Sequence, residues 1–348
     1  MKVLVTGANG FIGSAIVRTL LGKGFDVRAL VRKNSDCRNL HGLPVALVHG
    51  DLTEPASLGP ALDGCEALFH VGALYRLWSP NSEQFYRTNV EGTRNIMLAA
   101  LSAGVGRVVY TSSIATLGTA GNQRVADERT VINRKVLTGH YKRSKVLAEY
   151  EVFKLIKTHA LPAVITNPTA PVGPGDIKPT PTGRLIRDAA AGRIPAYVNT
   201  GLNIVHVDDV AEGHYLAFKN GEVGEKYILG GENISLKQIL ESVAAMTERS
   251  PPMLRISPNL VLPLAYLAEF WARLTSGNEP MMTVAGVKLS KQVMYFSSEK
   301  ARHTLGYQPR QAIQALEDAV AWFRRESVSE RADPFGVDQE LPESYWKR

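Results

Sequence analysis

The sequence predicts an α/β fold: a Rossmann-type, doubly wound parallel sheet with a smaller C-terminal substrate lobe. Three observations predict it. Short apolar runs alternate with longer helical patterns through the first half of the chain. The first run, Lys2–Thr6, leads straight into a glycine-rich turn and then a helical pattern. The runs are continuously apolar, as in Val3-Leu4-Val5, which fits strands buried on both faces.

Taken in order, strands are expected at Lys2–Thr6, Asp26–Val31, Val45–His49, Ala67–His70, Arg107–Thr111 and Ala163–Asn167. Helical spacing fills Ile12–Lys23, Pro55–Leu62, Asn89–Ala103 and Tyr141–His159 between them. After Asn167 the texture changes. Pro168, Pro171, Pro174, Pro179 and Pro181 fall within fourteen residues, among them Gly173 and Gly175. This reads as an irregular loop beside a site. Helices are then expected at Thr182–Ala191, Val207–Lys219, Leu236–Met246 and Leu260–Leu274, with short strands near Ile204 and Tyr227. The division is a dinucleotide-binding domain over 1–167, a mixed substrate lobe over 168–325 with segments returning to the sheet, and a polar tail over 326–348.

The 348 residues are 45% hydrophobic and 21% charged, the balance of a globular chain. The net charge is +7, but Lys and Arg are scattered among Asp and Glu, which argues against a nucleic-acid partner. Cys37 and Cys65 stand alone, so no zinc site can be assembled from them, and they fit a reducing compartment. Met1-Lys2 runs directly into the first strand and no apolar stretch reaches the ~20 residues of a bilayer span. A cytoplasmic location is expected.

Gly7, Gly10 and Gly13 give a GxxGxxG spacing between strand and helix. One glycine allows the tight turn, one lets the backbone approach a pyrophosphate, and one lets the helix pack on the sheet. The helix N-terminus offers free N–H groups to the phosphates, so Asn9, Phe11 and Ile12 join the glycines as cofactor contacts. An NAD site normally has an acidic residue at the end of the second strand. Here that position reads Arg32-Lys33, with no carboxylate until Asp36, so NADP(H) is favoured over NAD(H). After the third strand, Asp51 is expected near the adenine amino group or as a helix cap, and Leu52 beside it as a cofactor contact.

Tyr141 and Lys145 stand at i and i+4 on one helical face. A nearby ammonium is expected to lower the phenol pKa, which suits proton exchange with a substrate oxygen while a nicotinamide exchanges the hydride. Ser112 and Ser113 end the fifth strand, at the sheet edge that faces the ligand crevice. Ser113 is the candidate that orients the substrate oxygen, and Ser112 a cofactor contact.

With TGANGFIG, GDL, FHVGA, NVEGT, VVYTSS, YKRSK and HVDDVA in this order, the chain resembles the extended short-chain dehydrogenase/reductase family over about Met1 to Arg310. The resemblance implies a catalytic triad of Ser113, Tyr141 and Lys145. It implies that Val71, Gly72 and Ala73 line the cofactor, that Asn89 supports the site, that Pro168 lies beside the nicotinamide, and that the enzyme is a homodimer. Two positions depart from the family pattern: Asn167 replaces the usual Arg, and Val172 replaces a Tyr, both toward the substrate side. Two subgroups look similar. One is the dihydroflavonol-4-reductase-like enzymes, which use NADPH. The other is the bacterial hopanoid-associated sugar epimerases, which implies a sugar or lipid-linked sugar substrate. A sugar epimerase/reductase linked to hopanoid biosynthesis is the leading expectation, a carbonyl reductase of a non-sugar substrate the alternative, and a non-catalytic NADP sensor the remote one.

For the substrate, Tyr75, Arg76 and Trp78 follow the fourth strand and Arg184 follows the proline loop. Aromatic faces stack on sugar rings and guanidinium groups hold anions. Asp208 or Asp209 is expected to cap the helix that follows. Leu264, Leu267, Phe270, Trp271 and Leu274 recur at helical spacing. The favoured reading is a helix packed on the core; the alternative is a surface helix that docks on a membrane or roofs an apolar pocket.

Overall fold

Val3 and Val5 point to one face of the central sheet and Leu4 to the other, and all three are fully buried, because a strand alternates its side chains and helices cover both sides. The computed structural model describes residues 1–121, 124–132, 137–275, 280 and 282–332. Its strands are β1 Lys2–Thr6, β2 Asp26–Val31, β3 Ala46–His49, β4 Ala67–His70, β5 Arg107–Thr111, β6 Ala163–Pro168, β7 Ala170–Val172, β8 Ala196–Tyr197, β9 Gly201–His206, β10 Lys226–Leu229, β11 Glu232–Ser235 and β12 Leu254–Arg255. Its helices are α1 Phe11–Gly22, α2 Leu58–Leu62, α3 Glu83–Tyr86, α4 Gly92–Ser102, α5 His140–His159, α6 Pro181–Ala190, α7 Val207–Asn220, α8 Leu236–Met246, α9 Pro258–Leu274, α10 Val284–Leu289, α11 Glu299–Leu305 and α12 Ala312–Ala332.

Seven parallel strands form the main sheet in the order β10-β6-β5-β4-β1-β2-β3, with Val3 opposite both Val27 and Ala67. α1, α7 and α11 cover one face, and α2, α4 and α5 the other. The order reverses around β1 and β4, so the C-terminal ends of β1, β4 and β5 open a crevice there. The second lobe is a small sheet, β11-β9-β7, packed with α6, α8 and α12.

Three expectations are corrected. The proline-rich stretch is not all irregular: Ala170–Val172 is a strand parallel to β9. Pro171 is tolerated because β7 is an edge strand. The chain beyond Glu326 is not simply a tail, since α12 continues to Ala332; the rest of the expected tail, 333–348, lies outside the described residues. The apolar stripe of α9 does not pack on the core. Leu264, Leu267, Phe270, Trp271 and Leu274 are all exposed, because the opposite side of the helix, Val261, Ala265 and Ala272, takes the buried position. In addition, neither Asp208 nor Asp209 caps α7: His206 Nδ1 accepts the Asp208 N–H at 3.0 Å, and Asp209 holds Arg310 at 2.9 Å.

Candidate active site

Glycine spacing becomes geometry at the end of β1. Gly7 has φ +63°, and a Cβ there would lie 2.7 Å from the Gly72 Cα. A Cβ on Gly13 would lie 2.0 Å from the Gly7 carbonyl oxygen. Any side chain at either position would drive the turn off the sheet. Gly10 caps α1 without a side-chain hydrogen bond, so the first N–H groups of the helix face a cavity of about 790 Å³. Gly7, Asn9, Gly10, Phe11, Ile12 and Gly13 all line it. A backbone cradle with no room for side chains and uncapped amides at its floor fits the pyrophosphate of a dinucleotide.

Thr6 and His70 hold the wall opposite the glycine loop. Thr6 Oγ1 accepts the N–H groups of Val71 and Gly72 at 3.1 and 3.0 Å, which leaves its own proton for His70 Nδ1 at 2.8 Å. His70 Nε2 therefore donates to Thr93 Oγ1 at 2.9 Å. Burial drives the His70 pKa down to about 3, with the Lys145 charge adding to it, so the ring is neutral and structural. Val71, Gly72 and Ala73 are thereby fixed along the cavity.

At one end of the cavity Arg32 lies in the wall, while Lys33 is exposed and outside it. Asp36 also reaches the wall, but Arg38 pairs with its carboxylate at 2.9 Å and holds its pKa below the usual range. Asn9 Nδ2 donates to the Asp36 carbonyl at 2.7 Å, and Asn39 Nδ2 to the Gly175 carbonyl at 2.9 Å. These two amides join the glycine loop, the segment after β2 and the proline loop. That loop lines the cavity from Gly175 to Thr180. Asp51 and Leu52 line it too, with Asp51 Oδ1 accepting the Thr53 N–H and hydroxyl, both at 2.8 Å.

At the other end stand the chemical groups. Tyr141 and Lys145 line the cavity from the first turns of α5. Lys145 Nζ donates to the Thr111 carbonyl at 2.9 Å and to the Tyr110 hydroxyl at 3.3 Å. The Ser113 hydroxyl, which accepts the Ala115 N–H at 3.1 Å, lies close enough to the Tyr141 phenol to favour its ionised form. The expected lowering of the Tyr141 pKa is not what this arrangement gives. Burial pushes it up to about 12, with Ser113 pulling partly against it, and burial brings Lys145 down to about 8. The cost of burying a phenolate dominates, and the Lys145 ammonium is engaged with the Thr111 carbonyl and the Tyr110 hydroxyl. At neutral pH the Tyr141 phenol is protonated.

Asn89 supports the site from behind. It is buried in a π-turn (Arg87–Glu91), where its side chain accepts the Leu74 N–H at 2.7 Å and donates to Ser144 Oγ at 2.9 Å. It thus ties the loop after β4 to α5. Ser112 lines the cavity, but its hydroxyl turns to Glu149 at 2.5 Å. Pro168 is the buried last residue of β6, opposite Leu229, and does not line the cavity. Of the substrate candidates, only Tyr75 reaches the cavity; its ring centre is 4.8 Å from that of Tyr141. Arg76 is exposed outside it, Arg184 sits on α6 and does not line it, and Trp78 is buried in the protein and does not line it either.

Sequence reasoning passed over Glu149. This buried carboxylate accepts from Ser112, from Thr116 at 2.8 Å, from Asn167 at 3.2 Å and from Lys226 at 3.4 Å, and so holds up the floor of the site. Its signal was present: Glu149 continues the i, i+4 series of Tyr141 and Lys145 on the same helical face. Asp176 was also missed. Its carboxylate accepts the Thr180 N–H at 2.9 Å and hydroxyl at 2.8 Å, and burial raises its pKa to about 6. Among the described residues no His/Cys/Asp/Glu group is arranged to hold a metal.

A parallel sheet with a glycine cradle, and Tyr141 and Lys145 in the same cavity with Ser113 just behind its wall, define a nicotinamide-dependent oxidoreductase of the extended short-chain dehydrogenase/reductase class. Comparison with known proteins agrees. The profile of the NAD dependent epimerase/dehydratase family matches residues 3–230, and the chain belongs to that family. It is 44% identical to a Synechocystis sp. protein provisionally named dihydroflavonol 4-reductase, over 92% of this chain and 94% of that one. It is 35% identical to sterol demethylase protein B of Methylococcus capsulatus, over 94% of this chain and 100% of that one. The crystal structure of gox2253 superposes with a TM-score of 0.83 at 52% identity, covering 93% of this chain and 98% of the other. No helix among the described residues is long and apolar enough to cross a membrane.

Proposed function

We propose that the protein reduces a carbonyl group of a lipid-derived substrate, or oxidises the matching carbinol, with NADP(H). The observation that carries this reading is the Tyr141 phenol, protonated at neutral pH, with Ser113 nearby, and set in the same cavity as the glycine cradle. The bound cofactor would supply or accept the hydride at the substrate carbon. The amides of Gly10 to Gly13 would hold its pyrophosphate, and Arg32 would attract a 2′-phosphate, since Asp36 is neutralised by Arg38. In the reductive direction Ser113 orients the carbonyl oxygen, and Tyr141 Oη gives it a proton. Lys145, carrying its charge below about pH 8, stabilises the phenolate left behind. The reductase name of the Synechocystis relative supports reduction, and the sterol in the Methylococcus relative's name supports a lipid substrate.

A second reading, a sugar epimerase of hopanoid biosynthesis, rests on Tyr75, whose partly exposed ring offers a stacking platform beside Tyr141. Cofactor stoichiometry separates the two: a reductase consumes one NADPH per product, whereas an epimerase inverts a centre with no net consumption. For either reading, Tyr141→Phe is expected to lower kcat by roughly 10²–10⁴ while the Kd for NADPH, measured by calorimetry, stays unchanged. Undiminished turnover would remove Tyr141 from the reaction.

A further inference from the structure

α9 is apolar on two opposite faces. Val261, Ala265 and Ala272 face inward; Val261 and Ala265 pack with Val284 and Val287 of α10. On the other side Leu260, Leu264, Leu267, Trp271 and Leu274 follow one another at steps of four and three, forming a single stripe along the whole helix. Each is between 54% and 72% exposed. Tyr266 and Phe270 widen the stripe, and Met253 and Leu254 extend it just before the helix, all of them exposed. None of these residues lines the cofactor cavity, so the stripe is not its roof.

The charge around the stripe is one-sided. From 249 to 292 the sequence holds Arg249, Arg255, Arg273, Lys288 and Lys291 against Glu269 and Glu279. Glu269 is turned inward, accepting the Val284 N–H at 2.7 Å. Lys288 lies 5.9 Å over the Tyr266 ring, and Lys291 Nζ donates to Asn259 Oδ1 at 2.7 Å, both from beside the helix. An apolar stripe carrying Trp and Tyr, with cations beside it, is what an interfacial helix presents to anionic lipid. A helix of 17 residues lies along a surface for about 25 Å.

The same hairpin lies beside segments that flank the active site. A Cβ placed on Gly139, two residues before Tyr141, would lie 3.6 Å from the Ala285 side chain of α10, and one placed on Gly286 would lie 3.5 Å from Leu77, in the loop that carries Tyr75. We propose that α9 seats the protein on an anionic bilayer surface, with the stripe from Leu260 to Leu274 in the acyl boundary and the substrate side of the site held next to the lipid. This stands independently of which reaction the site performs.

The test is cosedimentation of the full chain with vesicles of phosphatidylcholine alone and of equal parts phosphatidylcholine and phosphatidylglycerol. The expected result is binding to the anionic vesicles that weakens with salt, falls about fivefold for loss of each basic residue at the surface, and falls more than tenfold in a Leu264→Glu/Leu267→Glu variant that still binds NADPH as tightly. A readout that leaves the fold untouched is quenching of Trp271 by brominated lipid, which is expected to disappear in Trp271→Phe. Failure to bind either vesicle would overturn the proposal, and so would unchanged binding by the double variant. A wild-type dimer that the double variant dissociates, with no vesicle binding, would overturn it in favour of a second copy of the chain on this face.

Discussion

α1 and α9 are both apolar helices, yet they meet opposite surroundings. α1 buries Ile16, Val17 and Leu20 completely against the sheet, while α9 leaves its longest apolar stripe in the open. In α1 the apolar residues and the glycine cradle are one structure: Gly13 packs the helix onto the Gly7 turn, and its uncapped N-terminus opens on the cavity. In α9 the stripe from Leu260 to Leu274 stands more than half exposed, and the far face serves packing. Apolar periodicity therefore carries two meanings, core formation and surface recognition, and the second half of this molecule uses both on one helix.

The contrast can be broken or sharpened by substitution. The largest effect is expected from Gly13→Val. Its side chain has no space beside the Gly7 carbonyl, so NADPH binding should fall by more than about 100-fold, read by calorimetry, with a lowered Tm. Ile16→Ala, in the buried face of α1, should cost about 2–5 kcal/mol in urea denaturation. Next, Arg32→Ala should weaken NADPH by roughly 10- to 100-fold, the scale of one charge-assisted contact, and leave NADH nearly unaffected. Equal losses for both nucleotides would overturn the NADP assignment.

A smaller effect is expected from acid. Burial holds His70 at about 3 and His214 at about 4, below the 6.5 of an open histidine. His214 is fixed neutral, with Nδ1–H donating to the Val210 carbonyl at 2.7 Å and Nε2 accepting from Thr111 and Thr166 at 2.9 Å. The unfolded chain takes up these two protons near pH 6.5 and the native protein does not. Their contribution is complete above about 6.5 and is lost as pH falls toward 4, at about 1.4 kcal/mol per pH unit for each ring. Asp176 acts with the opposite sign, since its folded pKa near 6 favours the native state as pH falls from 6 toward 3.8. The net slope between about 4 and 6 should be near one proton, measurable by denaturation at stepped pH. The smallest effect is expected from Leu267→Ser on the open face of α9, within about 0.5 kcal/mol. A loss as large as that of Ile16→Ala would mean that the stripe is covered within the protein.

The amino-acid sequence by itself determined the parallel sheet, the cradle and the Tyr141–Lys145 pair. These rest on short-range rules: alternation along a strand, a strand–glycine–helix turn, and i, i+4 neighbours on a helix. Glu149 obeys the same helical spacing, but a carboxylate on a helix is ordinarily a solvated surface group, and nothing local shows that Ser112, Thr116, Asn167 and Lys226 converge on it. Three kinds of fact were decided only by tertiary structure. Packing across the chain set the Tyr141 pKa, because its burial depends on the elements around α5. Pairing with β9 made a strand of Ala170–Val172 despite Pro171, because β7 lies at an edge. Most sharply, both faces of α9 are apolar in sequence, and which one is buried depends on where α10 docks, a contact between segments that no helical periodicity encodes.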